Sequence, residues 1–277
     1  MKAPAVDYVR PRSLTQAVGL LAHASVEARV MAGGQSLLAM MNLRVATPAL
    51  VIDIARLPEL TSVTEDADSV RFGACVTHAA IEDERVPDPS HGLMPRVAAA
   101  LAYRAIRNRG TIGGSLALAD PAAEWPAVLA ALDAEVTFCG PNGRRSLKCA
   151  EFVTGIFETR LAADEIIESV RVAKLSADAR WGYTKLCRKS GEFATALAVV
   201  VSDPARGYTR VVTGAANGAP LTLEETGRVV AGGGRDPEAL RDTIGVDLDR
   251  AADRRFDDFQ RNLHTVAAMR AVRQVLA

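Results

Sequence analysis

Two hydrophobic periods run along this chain, and they divide it into elements. Ala17, Val18, Leu20 and Leu21 share one side of a helix that Ser13 or Thr15 can cap. Short apolar runs at 28–32 and 50–54 read as buried strands, with a helix over 36–44 between them that Pro48 ends. Alternation over 61–75 around a polar turn at 65–68 predicts a hairpin. Thr77 caps a helix that stops before Pro87. The Ala-rich periodicity of 93–107 predicts one further helix. Asp120-Pro121 reads as a turn and helix start, with proline at the first helical position and the helix running to Leu132. Strands follow at 134–139 and 166–172, the first returning through a tight turn at 140–143. The composition changes near 174–178, which places a domain boundary there. Beyond it, 183–186, 194–201 and 208–216 suggest a small sheet, and 222–231, 236–244 and 253–275 suggest helices. The last helix carries Phe256, Phe259, Leu263, Val266 and Met269 at helical spacing and reads as a packing helix.

Between the strand at 28–32 and the helix after it stands Gly33-Gly34-Gln35-Ser36. A second stretch, Gly113-Gly114-Ser115, repeats the pattern. Adjacent glycines cost backbone entropy, but they let the main chain turn sharply and approach another body. Successive N–H groups in such a turn form an anion-binding concavity. Two such loops suggest one extended anion held at two points, for which a dinucleotide diphosphate is suited. Two ordinary Gly-rich turns are the plainer alternative. Neither loop gives Gly-x-Gly-x-x-Gly, and the strand–helix order lacks the regular βαβ rhythm of a Rossmann fold. The pattern alone supports an α+β protein with a bipartite anion site.

The 277 residues are 49% hydrophobic, enough for a real core and for one large domain or two. Lys plus Arg number 33, and so do Asp plus Glu, which argues against a nucleic-acid protein. No apolar run is long enough to predict a membrane span. The N-terminus lacks an apolar signal core, and the four cysteines form no Cys-x-x-Cys pair, so a cytoplasmic location with free thiols is expected. The four histidines are scattered and read as surface or structural groups. Arg104, Arg107 and Arg109 make a basic stripe that can face a diphosphate, an acidic patch on a partner, or solvent. Gly232-Gly233-Gly234 reads as a helix-ending loop.

The run Ala32-Gly33-Gly34-Gln35-Ser36-Leu37-Leu38, with Met41-Asn42-Leu43-Arg44 after it, and the run Ile106-Arg107-Asn108-Arg109-Gly110-Thr111-Ile112-Gly113-Gly114-Ser115-Leu116, with Ala119-Asp120-Pro121-Ala122-Ala123-Glu124 after it, closely resemble the FAD-binding medium subunit of molybdenum hydroxylases. Carbon monoxide, xanthine and N-heterocycle dehydrogenases are of that family. The resemblance covers nearly the whole chain. It implies a two-subdomain FAD-binding fold of the vanillyl-alcohol-oxidase type over 1–173, split into about 1–56 and 57–173. A C-terminal α+β domain with a small antiparallel sheet would occupy 174–277. It also implies a heterotrimer: a molybdopterin large subunit oxidises the substrate, an iron–sulfur small subunit with [2Fe–2S] clusters passes electrons to FAD here, and the flavin reduces an external acceptor.

By the same resemblance, Val30, Met31, Ala32, Gly33, Gly34, Gln35, Ser36 and Leu37, with Thr111, Gly113, Gly114 and Ser115, wrap the FAD diphosphate and ribityl chain, largely through backbone N–H groups. Asp120 and Glu124 would accept hydrogen bonds from flavin or ribityl hydroxyls. Leu101 would pack on the cofactor, Ile167 lie near the adenine, Lys185 match a family lysine, and Phe193 stand near the isoalloxazine. Relatives often carry histidine where this chain has Leu118, tyrosine or another apolar residue where it has Phe193, and aspartate where it has Glu192. Asp120 also suits a helix N-cap, with Glu124 in the first turn. No residue here is read as catalytic, because flavin carries the redox chemistry itself. A Cβ at Gly33 or Gly114 is expected to reduce FAD occupancy more than fold stability. Two other functions remain open to the sequence: a free-standing flavin-dependent oxidoreductase acting directly on a small molecule, and a relative that has lost its cofactor.

Overall fold

The structure, a computed structural model, describes residues 2–251 and 256–277. Strands β1 (Asp7–Val9), β2 (Ala28–Met31) and β3 (Leu50–Asp53) lie in the order β1-β3-β2, all parallel. Parallel neighbours need crossovers. Helix α1 (Leu14–Ala22) supplies the first, opened by Ser13, whose hydroxyl accepts from the Gln16 N–H. Helix α2 (Leu37–Asn42) lies in the second, directly after the first glycine loop.

Residues 58–173 surround an antiparallel sheet. The short helix α3 (Pro58–Thr61) leads into strands β4 (Val63–Glu65) and β5 (Ser69–Gly73). Helices α4 (His78–Glu82), α5 (Leu93–Ala100), α6 (Arg104–Arg107), α7 (Ile112–Leu118) and α8 (Glu124–Ala131) follow. The chain then adds β6 (Glu135–Gly140), β7 (Gly143–Lys148), helix α9 (Cys149–Phe152), a short pair β8 (Val153–Gly155) and β9 (Glu158–Thr159), and β10 (Ile166–Ala173). The sheet order is β4-β5-β10-β6-β7. Alternation sorts its faces: Val70, Phe72, Val136, Phe138, Val170 and Val172 enter the core under α5, α7 and α8, while Arg71, Thr137 and Ser169 point away. Trp125 of α8 is fully buried at the centre of that core.

Two helix boundaries differ from the sequence pattern. The run 93–107 is not one helix, because Leu101 turns extended and Ala102 adopts φ +36°. The Arg107 guanidinium donates to the Leu101 and Ala102 carbonyls, and it is itself held by Glu82. A side chain from the next helix thus satisfies carbonyls that a continuous helix would have used. Asp120-Pro121 does not start a helix either. Ala119 at φ +51° ends α7, Asp120 accepts from the Ala122 N–H to close a turn, and α8 begins only at Glu124.

The remaining strands, β11 (Arg180–Leu186), β12 (Ala196–Asp203), β13 (Tyr208–Gly214) and β14 (Leu221–Thr222), form an antiparallel sheet in chain order. One face of β12 (Leu197, Val199, Val201) meets the core around Trp125. Its other face (Ala196, Ala198, Val200) meets helices α10 (Glu224–Ala231), α11 (Pro237–Arg250) and α12 (Asp258–Leu276). The three glycines after α10 end it, the Gly234 N–H reaching back to the Val229 carbonyl. Residues 253–255 of the expected last helix lie outside the described residues. Of the expected packing stripe Met269 is buried and Phe256 and Leu263 pack against the same core, but Phe259 is 67% exposed, while His264, Ala268, Ala271, Val272 and Val275 are buried. The strand comes closest at Ala271. A Cβ at Gly182 would lie 2.0 Å from the Ala271 carbonyl oxygen.

Candidate functional site

The two glycine loops, 80 residues apart along the chain, touch. A Cβ at Gly33 would lie 2.1 Å from the Arg109 carbonyl oxygen and 2.9 Å from the Gly110 Cα. A Cβ at Gly114 would stand 3.7 Å from that of Ala32. The Gly33 carbonyl accepts from Arg109 Nε and from Gln35 Nε2, each at 3.3 Å. Gly34 turns the chain at φ +73°, a conformation glycine adopts at little cost. Behind the second loop, Gly113 presses on Ala74, which its Cβ would meet at 2.5 Å.

The two loops differ in how their backbone N–H groups are engaged. The N–H groups of Gly33, Gly34, Gln35, Ser36 and Leu37 have no partner among the described residues, and the first amide engaged is that of Leu38, bonded to the Gly34 carbonyl. Backbone donors left unpaired by the protein call for water or a ligand. In the second loop, 111–115, only the Thr111 N–H has no partner among the described residues. Ile112 donates to the Val76 carbonyl, Gly113 to that of Ala74, Gly114 to the Thr111 hydroxyl and Ser115 to the Thr111 carbonyl. Of the amides expected to face the cofactor over 111–115, four are thus engaged within the protein. Helix capping by Thr111 and pairing beside β5 consume those donors, so this loop props the first one. Gly114 and Ser115 remain partly exposed.

Other residues singled out from the sequence are placed unequally. Val30 and Met31 lie in β2, with Met31 buried. Asp120 and Glu124 follow α7, but the buried Glu124 is paired with Lys185, Nζ to Oε1 2.6 Å. Lys185 also donates to the Ala100 carbonyl at 3.2 Å. Two residues expected to reach the cofactor separately thus hold each other. Burial pushes the Glu124 carboxyl above its usual range despite the Lys185 ammonium, and the Asp120 charge adds to that. Leu101 and Ile167 spend their side chains in the core around Trp125. Phe193 is 66% exposed, on a loop whose Gly191 lies against Ala102 and Tyr103.

His78 is a group that sequence reasoning left as merely structural, and it lies under the second loop. Its N–H donates to the Gly110 carbonyl, and a Cβ at Gly110 would strike its ring at 2.8 Å. Trp125 Nε1 donates to its Nδ1 at 3.1 Å. A neutral ring is required at that nitrogen, since imidazolium has no acceptor.

Residues 4–174 match the FAD binding domain in molybdopterin dehydrogenase. The chain belongs to that family. It is 39% identical to the nicotine 6-hydroxylase medium subunit of Paenarthrobacter nicotinovorans over 86% of its length and 84% of the relative's. It is 36% identical to the carbon monoxide dehydrogenase medium chain of Hydrogenophaga pseudoflava, over 82% and 79%. Its fold matches the structure of Hydrogenophaga pseudoflava carbon monoxide dehydrogenase lacking the Mo-pyranopterin moiety at a TM-score of 0.91, with 32% identity, covering 99% of this chain and 98% of that one. The α+β FAD-binding fold and the resemblance carried by the two loops are thereby established. The chain is an FAD-binding medium subunit of the molybdenum hydroxylase type, part of an oxidoreductase. The run of unpartnered amides over 33–37 fits such a cofactor, because it offers partial positive charge to phosphate without a desolvated cation. Among the described residues no helix is long and apolar enough to cross a membrane.

For this family member His78 sets an acid limit. Burial, with a smaller contribution from Arg107, pushes its pKa from 6.5 down to about 4. The unfolded chain then binds the proton that the folded one refuses, so stability is complete above pH 6.5 and falls as pH drops towards 4. At ~1.4 kcal/mol per unit, His78 accounts for a loss of about 3 kcal/mol. His264, also pushed down to about 4 by burial, adds to it. Urea unfolding in steps from pH 6.5 to 4.5 should show the decline, and a His78→Gln chain should show a shallower one. An unchanged slope would contradict the burial argument.

Proposed function

We propose that this chain carries FAD between a partner that delivers electrons and an acceptor that removes them. The partners are an iron–sulfur small subunit with [2Fe–2S] clusters and a molybdopterin large subunit, which oxidises the substrate. The acceptor is external to the complex, and the assembly is a cytoplasmic heterotrimer. Bound FAD supplies the one- and two-electron chemistry that links such partners.

This chain's residues bind and orient. The amides of 33–37 hold the diphosphate, Ala32 and Gly114 close the loops together, and Ser36 and Ser115 offer hydroxyls beside them. Asp120 has one carboxylate oxygen to accept from a ribityl hydroxyl, because among the described residues only its Oδ1 is engaged. The Glu124–Lys185 pair gives a fixed, neutral floor instead of two separate contacts. Residues 1–173 serve as the FAD-binding unit and 174–277 as a flavoprotein domain that presents Lys185 and Phe193. Leu101 and Ile167 act from within the core, shaping the cofactor's walls.

The observation that carries this reading is the run of five unpartnered amides meeting a second glycine loop in a chain of this family. Further support comes from relatives named as medium subunits or chains of nicotine 6-hydroxylase and carbon monoxide dehydrogenase. Titrating the flavin-free chain with FAD tests it. One FAD per chain is expected, with Ser36→Ala weakening it only modestly because the amides, not the hydroxyl, do the holding. Absence of saturable binding would overturn the reading.

A further inference from the structure

Three arginines flank the second glycine loop, and the structure commits two of them. Arg104 binds Asp83 and Glu82, at 2.6 and 2.8 Å. Arg107 binds Glu82 at 2.7 Å and caps the end of α5. Arg109 has no ion pair among the described residues. Among the described residues its exposed side chain makes one hydrogen bond, Nε to the Gly33 carbonyl at 3.3 Å, and both terminal nitrogens of the fork are unengaged. Gly33 begins the run of unpartnered amides, so the guanidinium is tethered beside them.

The surrounding sequence offers no other charge for this place. No Lys, Arg, Asp or Glu occurs from Val30 to Leu43 or from Gly110 to Ala119. Amides carry only partial charges, whereas a dinucleotide diphosphate brings two full negative ones. A guanidinium fork matches paired phosphate oxygens in geometry and charge.

We propose that Arg109 is the charge-neutralising binding residue for the FAD diphosphate, an assignment that rests on the reading of the Gly33 loop as the diphosphate site. Its Nε fixes the plane of the fork against the loop, and its two terminal nitrogens close over the phosphates from the side of the second loop. The basic stripe thus divides in function: Arg104 and Arg107 organise α4, α5 and α6, and Arg109 alone faces the anion.

FAD titration of the full flavin-free chain at low and high salt tests this, using wild type, Arg109→Gln, Arg109→Lys and Arg104→Gln. Arg109→Gln should weaken FAD on the order of ten- to hundredfold at low salt, as loss of a hydrogen bond to a charged group does. Its affinity should also depend less on salt than that of the wild type. Arg109→Lys keeps the charge but loses the fork and should recover most of the affinity. Arg104→Gln should bind as wild type does. Arg109 is exposed, so both of its variants are expected to fold, and their melting curves check this. Unchanged FAD affinity in Arg109→Gln would overturn the assignment. So would weakened affinity with wild-type salt dependence and no recovery in Arg109→Lys, the pattern of a mere loop strut. If the wild-type chain itself took up no FAD, the reading of the loop would fail instead, and the assignment with it.

Discussion

A Lys185→Met chain should lose about 3–5 kcal/mol of stability at neutral pH, the cost of stranding one member of a buried ion pair. Glu124 and Lys185 side chains are 3% and 6% exposed, so solvent cannot take over the role of the missing ammonium. The sign of the pH dependence is fixed by the carboxyl. Burial already raises its pKa, and removing Lys185 raises it further. A carboxyl raised in the folded state binds a proton there more readily than in the unfolded chain. Stability then falls as pH rises through that window, and the deficit of Lys185→Met should shrink on acidification. The double variant Glu124→Gln/Lys185→Met should recover much of the loss, because a neutral amide leaves no charge behind. Urea unfolding of the four chains at pH 7.5 and 5.5 measures the cycle. A deficit independent of pH, or no recovery in the double variant, would show that packing rather than charge holds this junction.

The second large effect lies at Gly33. The sequence suggests that a Cβ there would cost FAD occupancy more than stability. The structure changes the reason: the Cβ would strike the Arg109 carbonyl at 2.1 Å, and main chain cannot swing away as a side-chain tip can. Gly33→Ala should therefore separate the two loops, lowering stability by about 1–3 kcal/mol as overpacking does, and abolishing FAD binding along with it. Gly34→Ala is the useful contrast. Its strain comes from φ +73°, and its nearest neighbours are the flexible ends of Leu38 and Met31 at 3.1 and 3.2 Å. It should retain partial flavin content. Flavin-to-protein absorbance ratios and melting temperatures of the two variants test the order, and equal retention would contradict it.

Much of the fold was legible because it rests on local signals. Ser13 and Thr77 cap the helices their positions predict, and Gly232-Gly233-Gly234 ends a helix as glycine runs do. In strands β5 and β6 the apolar residues alternate into the core, as Val70 and Phe72 and then Val136 and Phe138 do, while in β10 a register shift between Ile167 and Ser169 interrupts the alternation. The errors come from distant partners. Arg107 breaks the 93–107 periodicity by capping carbonyls from the next helix, which no local rule foretells. Phe259 has the spacing of a buried residue, but Gly182 draws the alanine face of α12 against the sheet instead. At the site, the two loops are visible as motifs, yet their division of labour depends on where each N–H finds its acceptor. The Glu124–Lys185 pair joins residues 61 apart and is likewise a fact of tertiary structure.

As proposed, this chain relays electrons through FAD and oxidises no substrate itself. Anaerobic mixing of the native complex, and of the isolated FAD-loaded chain, with the substrate of the complex tests it directly, followed by flavin absorbance near 450 nm. The account predicts bleaching in the complex, preceded by reduction of the iron–sulfur bands, and none in the isolated chain. Bleaching of the isolated chain's flavin by substrate would contradict it.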